Sequence, residues 1–297
     1  MTINPRCFAL IAAAALATQA AAQTFLQPGD LSETNLPSLR LIKEGLQVSK
    51  EHHAVIGQHV RLNYTGGKYE LLTYWSKDDA YPMLGIANFL WYPAGYRGKF
   101  SDDFPSVQAA LQAEGVALPD WLKPGRPAPW PDREAFIAKF HSEEMEQLRQ
   151  MLASTVEIQT RVLIARAERS FSAMLDVLPQ EERPAIREEF ERVAATTVGV
   201  YALVDYVHFK GEGAIADADK RKGSRGLLRV LEVMSRGPHS AVANEDFADA
   251  AIQVLIPPDA TPSNWHSIWR RHVDTYRASD LYQLLELRQA ALASTTP

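Results

Sequence analysis

The stretch YVHFKGEG, residues 206–213, holds the side chain whose setting best suits chemistry. Glu212 lies between Gly211 and Gly213, just past the expected end of an apolar helix. A carboxylate there faces the negative end of the helix dipole, which disfavours its ionised form. Partial burial acts in the same direction and moves the group toward the range of a general acid. The flanking glycines would let a bulky substrate come close. The plain alternative is a solvated turn glutamate. Asp205 belongs to the apolar segment itself, where an acid is normally paired, most simply with an Arg, a Lys or a helix N-terminus. It reads either as half of a structural ion pair or as a second carboxylate. Glu70 sits among aromatic residues and faces either a cleft or, as the outward member of an alternating strand, solvent. Glu212, Glu70 and Asp205 are therefore the candidate catalytic residues.

Other chemistries lack their residues. There is no HExxH, the adjacent His52 and His53 point apart on a helix, and His266 and His272 fall on different faces. His208 and Glu212 have helical spacing, but Gly211 ends the helix between them. No metal or cofactor is implied. The nucleophile-elbow pattern, the P-loop and the dinucleotide fingerprint are all absent. The only cysteine, Cys7, lies in the leader, which removes thiol catalysis and disulfides from the mature chain. Carboxylate chemistry remains. Near Glu70, the residues Tyr69, Tyr74, Trp75, Phe89, Trp91, Tyr92 and Tyr96 crowd one short stretch. Aromatic faces stack on sugar rings, and Tyr and Trp polar tips reach sugar hydroxyls. Core packing accounts for some of these rings; alternation would leave others exposed.

The elements that must position these groups are mostly helical. Residues 1–22 read as a signal peptide, with Arg6, the apolar run FALIAAAALA and a small-residue cleavage site after Ala22. The run is shorter than the roughly 20 residues a membrane span needs, so an exported protein with no membrane span is expected. Losing Arg6 takes the formal charge from −5 to −6, a balance that argues against nucleic-acid binding. The basic run KRKGSR at 220–225, with Arg229, is either a solvated loop or a contact for an anionic envelope polymer.

Residues 23–37 read as an extended arm and 38–297 as a single domain. A helix is expected from Leu39 to about Asn63, ended by Gly66-Gly67. ELLTYW and MLGIANFLWY then form a small hairpin or sheet, the only strand material expected. A short helix covers 103–114. The Pro- and Gly-rich segment 118–132 is a long connection and a candidate lobe boundary. Helices follow from Asp132 to about Leu152, from a Ser154/Glu157 capping box to Leu178, and from Pro184 through the apolar VGVYALVDYVHF to Gly211. Four more cover 226–235, 244–256, 264–277 and 279–293. The fold class is mainly α with one small β element.

In order, the strings TGGKYELLTYW, LGIANFLWYP, YALVDYVHFKGEG, GLLRVLEVM and NWHSIWRRHVDTY resemble a largely uncharacterised family of exported bacterial proteins. That family's pattern reads Asn-Glu-x-Gly-Gly, LGIGHFIWYP, YVNFKGEG and GWGLLQVL, with a C-terminal Trp/Arg/Tyr block. The likeness covers most of residues 56–277. In layout the pattern is similar to lysozyme-like glycosidases and lytic transglycosylases, in which an acid ends a helix just before a small hairpin. The resemblance implies a periplasmic protein with a cleft for a glycan or cell-wall polymer, peptidoglycan first. Asn63, Glu70, Trp75, Trp91, Tyr92, Asp205 and Glu212 match the pattern. The family's glutamate falls on Tyr64, its histidine on Asn88 and its glutamine on Arg229. The expected binding residues are thus Asn63, Tyr64, Tyr74, Trp75, Asn88, Trp91, Tyr92 and Arg229. A phenol, with an ordinary pKa near 10, replaces a carboxylic acid poorly. The implied activity is a glycosidase with Glu212 as general acid. The alternatives are a catalytically silent binder of glycan or protein, and a helical interaction scaffold. Oligomeric state is not legible.

Overall fold

The computed structural model describes residues 41–42, 45–46, 48–98 and 100–295, all within the unit Leu39–Pro297. The signal peptide and the arm at 23–37 lie outside the described residues. Two short strands open the chain, β1 (Leu41–Ile42) and β2 (Gly45–Leu46), paired antiparallel. They correct the expected helix from Leu39. The helix α1 begins only at Lys50 and runs to Thr65, because the Ser49 hydroxyl accepts the His52 N–H and fixes the first turn there. Gly66 then takes a left-handed conformation, φ 59°, and donates its N–H to Leu62 O.

From that corner the chain makes a single 3₁₀ turn, Glu70–Leu72, and enters an antiparallel sheet of β3 (Thr73–Tyr74), β4 (Met83–Leu84) and β5 (Phe89–Leu90). Thr73 faces Leu84, and Leu84 faces Phe89. Helix α2 spans Phe104–Ala113. The helix expected to run from Asp132 to Leu152 is two, α3 (Arg133–Ala138) and α4 (Glu143–Ser154), because Ser142 restarts the ladder by accepting the Met145 N–H. Helix α5 is Val156–Val177. The expected Ser154/Glu157 capping box is not formed, since the Ser154 hydroxyl donates instead to Met151 O.

The continuous helix read from Pro184 to Gly211 also divides, into α6 (Arg183–Ala194) and α7 (Thr197–Lys210). Thr196 caps α7 through the Gly199 N–H, and a Cβ at Gly199 would come 1.7 Å from Val193 O. The close turn between the two helices therefore needs glycine. Then come α8 (Ala218–Lys222), α9 (Leu227–Met234), α10 (Ala243–Leu255), α11 (Asn264–Asp274) and α12 (Leu281–Thr295).

Helix α7 is the axis of the core. Every residue from Thr197 to Val207 is buried, as an apolar sequence on all faces requires. It packs against α1, α5, α6, α9 and α10. Helix α1 crosses α5 closely: a Cβ on Gly57 would lie 2.2 Å from Thr160 Oγ1 and 2.6 Å from Val156 Cγ1. Gly57→Ala should therefore cost stability, by about 1–3 kcal/mol for an overpacked core position, although alanine is the better helix former. Urea denaturation measures the loss; a stabilised variant would show that α1 and α5 can separate without penalty.

The basic run is not simply a solvated loop. Lys220 and Lys222 are exposed, but Arg221 is buried, donating to Glu232 Oε1 at 2.8 Å and to Glu182 Oε2 at 3.0 Å. Arg221 also caps the carbonyls of Ile215 and Ala216. This satisfied set of donors ties α8 to α9.

Candidate functional site

Two polar regions lie close to the residues singled out in sequence. One is a sealed network at the end of α1; the other is an open cleft beside Glu212.

The network centres on Asp205, which is fully buried in α7. One oxygen, Oδ2, accepts from Tyr276 OH at 2.6 Å and from His272 Nε2, which must be the donor because an ionised carboxylate only accepts. The other accepts from Asn63 Nδ2 at 3.2 Å. Asn63 is held in that orientation by Arg288, which donates to its Oδ1 at 2.8 Å. A relay continues from Asn63 Nδ2 to Tyr201 OH, then to Thr275 Oγ1 and His272 O, each step 2.7 Å. Burial by itself would raise the Asp205 carboxyl; His272, then Tyr276 and Asn63, bring it below its ordinary value. The partner expected for Asp205 was an Arg, a Lys or a helix N-terminus. It is a histidine with two neutral donors.

Tyr64 occupies the last turn of α1, where the motif pattern has an acid. Its ring meets His208 and His272 edge-on, at 5.3 and 5.7 Å between centroids. Its hydroxyl is buried without a hydrogen-bond partner. Burial and the nearby Asp205 charge push its ionisation well above the ordinary phenol value, so it remains neutral. Asn88, in the left-handed conformation at φ 54°, donates weakly to Tyr64 O at 3.4 Å. His208 donates Nε2–H to Ala87 O at 2.7 Å and accepts from Arg166 at 3.2 Å through Nδ1. Helix corner and hairpin are thus joined through rings and backbone carbonyls.

The open cleft, about 290 Å³, is bordered by Glu212, Asp102, Asp103, Arg166, Arg169 and the hairpin residue Phe89. Glu212 reaches it because the chain after α7 is pinned. Gly211 O and Glu212 O accept the first N–H groups of α9, from Leu227 and Leu228, at 3.0 and 2.9 Å. Gly226 and Gly213 touch there: a Cβ on Gly226 would lie 2.4 Å from Gly213 N. Asp103 accepts the Leu90 N–H at 2.6 Å and pairs with Arg166 at 2.8 Å. Asp102 accepts the Tyr92 N–H at 3.1 Å. Desolvation at the cleft, opposed by that bond and aided by Asp103, raises the Asp102 carboxyl above its ordinary value.

Neither Glu70 nor Asp205 joins Glu212 in this cleft. Glu70 is exposed on the 3₁₀ turn, and Asp205 is fully buried in its own network, away from the cleft lining. The expected aromatic groove also changes character. Trp75 and Trp91 are buried, Trp75 against Phe136 and Trp91 among Phe104, Trp121 and Trp130, so neither presents a face to a ligand. Tyr92 is buried, its hydroxyl donating to Phe100 O at 2.8 Å. Of that ring cluster only Phe89 borders the cleft, while Tyr74 is exposed. Arg229 is paired with Glu232 at 3.0 Å, and Asn63 is spent on the Asp205 network.

Sequence reasoning missed Asp102, Asp103, Arg166 and Arg169. The two arginines share one face of α5 at three-residue spacing, a signal that a scan for acids passes over. It also missed Trp121 and Trp130, which line a separate cavity of about 360 Å³ between the proline-rich connection and the α3–α4 segment. That segment is packed against the hairpin, with Ala128 N donating to Tyr92 O at 3.0 Å and Trp91 donating its indole N–H to Arg126 O at 3.0 Å. Compared with family models, curated proteins and solved structures, the chain matches none.

Proposed function

We propose that the protein is an exported glycan-binding protein that holds hydroxyl-rich chain segments in the Glu212 cleft without cutting them. The observation that carries this reading is the convergence of Glu212, Asp102, Arg166 and Arg169 on one half-open cleft. Alternating carboxylate acceptors and guanidinium donors suit a ligand whose groups both donate and accept, as sugar hydroxyls do. The absence of cutting is supported by Tyr64. The corner position that carries an acid in the resembling family holds a neutral phenol, sealed between two histidine rings.

One observation favours hydrolysis as a second reading. Glu212 and Asp102 border the same cleft, and two carboxyl groups flanking a glycosidic bond are what that reaction uses. In that case Asp102, with its raised carboxyl, is the proton donor and Glu212 the second carboxylate. Neither Glu70 nor Asp205, the carboxylates expected from sequence to accompany Glu212, borders that cleft.

Incubating the mature protein with isolated peptidoglycan separates the two readings. Retention on the insoluble polymer with no soluble sugar released, and weaker retention for Glu212→Gln, is the expected result. Sugar release that disappears in Asp102→Asn and in Glu212→Gln would establish the hydrolase. No retention at all would leave only a helical scaffold.

A further inference from the structure

Helix α11, the last but one, carries a feature that the cleft does not use. Its residues Trp265, Ile268 and Trp269 stand at positions i, i+3 and i+4, one apolar stripe. Its outer two members are left open, Trp265 at 62% exposure and Ile268 at 43%, while Trp269 packs partly against the core. Of the whole helix only Val273, near its C-terminal end, is buried. Isolated exposed apolar residues are ordinary, but a tryptophan and an isoleucine aligned on one helical face form a patch.

Cations flank the inner end of that stripe, at Trp269. Lys210 Nζ lies 4.1 Å from the centre of the Trp269 ring, and Arg225 lies 5.2 Å from it. Arg270 and Arg271 follow on the helix itself. Among the described residues none of these four cations has a carboxylate within ion-pair distance. Beside Arg225 a cavity of about 270 Å³ opens, lined also by Lys222, Ser224 and Arg229. Two of its cations are already neutralised, Lys222 by Asp219 and Arg229 by Glu232. Burial and the neighbouring Arg225 charge hold the Lys210 amine down at about 8, so an anion arriving there would be gaining a partner for a poorly solvated cation.

We propose that helix α11 docks the protein on a lipid bilayer surface rich in anionic phosphate headgroups, with Trp265 and Ile268 entering the headgroup boundary. The stripe supplies apolar area, and the unpaired Lys and Arg groups meet the headgroup phosphates, the combination that characterises interfacial helices. Each cation near such a surface strengthens attachment about fivefold. A soluble polyanion would satisfy the charges and leave Trp265 and Ile268 in water, which is why the lipid surface fits better. No described helix is long and apolar enough to cross a membrane, so the contact is with the surface alone.

Sedimentation of the mature protein with vesicles tests this. Binding is expected to vesicles of phosphatidylcholine mixed with phosphatidylglycerol, not to phosphatidylcholine alone, and to weaken with salt. The double variant Trp265→Ser/Ile268→Ser should partition at least about tenfold less, and Arg225→Ala or Arg270→Ala about fivefold less. Both apolar positions are exposed, so an unchanged thermal midpoint checks that the variant is folded. Equal partitioning of the double variant, or no binding to anionic vesicles, overturns the proposal. So does full displacement of the protein from vesicles by dextran sulfate or inorganic phosphate when the double variant responds identically; that result marks a soluble-anion site.

Discussion

Replacing Asp205 by alanine is expected to lower the stability of the folded chain by about 3–5 kcal/mol, the range for breaking a buried charged group away from its partners. The carboxylate is fully buried and accepts from His272, Tyr276 and Asn63. Without it, three donors from α1, α11 and the 3₁₀ turn after α11 lose their acceptor in a dry interior. Each orphaned donor carries a desolvation cost of about 1–3 kcal/mol. Asp205→Asn keeps the shape and one acceptor oxygen, so its loss should be smaller. The sign with pH follows from the depressed carboxyl. Its stabilisation is present above the ordinary aspartate range and fades as pH falls through the folded value. Urea denaturation near neutral pH measures both variants. A loss under about 1 kcal/mol for alanine would mean that water replaces the carboxylate and that the network is not sealed.

The second large effect is acid destabilisation through buried histidines. His59 donates Nε2–H to Leu281 O at 2.7 Å, so its Nδ1 is an acceptor, filled by Arg288 at 3.1 Å. His208 repeats the arrangement with Ala87 O and Arg166. Protonating either ring would aim a new N–H at a guanidinium; at His208 the Asp103 carboxylate, 3.8 Å from Nδ1, partly offsets that cost. Burial, with Arg288 acting in the same direction against the Leu281 bond, holds the His59 imidazole down at about 4; burial lowers His208 also. In the unfolded chain both titrate at an ordinary value near 6.5. Between those values the unfolded state binds the extra proton, so stability is lost as pH falls from about 6.5 to about 4. For His59 alone the loss over that window is about 3 kcal/mol. Denaturation midpoints across the window should fall for the wild-type protein and less steeply for His59→Gln, whose amide can still donate to Leu281 O. A flat wild-type profile would contradict the assigned tautomers.

The helices were legible because their determinants are local. Gly66 and Gly211, the apolar run of α7 and Pro179 mark ends and burial in sequence alone. The breaks at Ser142 and Thr196 were not, although both are good capping residues, because the apolar periodicity continues across them. The tiny strands Leu41–Ile42 and Gly45–Leu46 share their apolar spacing with a helix turn, and only pairing decides between the two. The site was legible in part. Glu212 does reach a cleft, and Asp205 does need partners. The identity of those partners depends on how α11 folds back on α7, which no spacing within either helix records. Trp75 and Trp91 misled for the opposite reason. A ring suited to a sugar is equally suited to a core, and the choice rests on neighbours such as Phe136 and Trp130 from the proline-rich connection and α3.

Binding of a soluble glycan fragment, measured by calorimetry against wild type, Glu212→Gln and Arg169→Ala, tests the Glu212 cleft most directly. Both substituted positions lie outside the Asp205 network, so stability and binding can be read apart. The expected result is measurable affinity for the wild-type protein, weakened about tenfold or more when either cleft residue loses its charge-assisted hydrogen bonds. Equal affinity in all three proteins would place the ligand elsewhere on the surface and contradict the cleft's role.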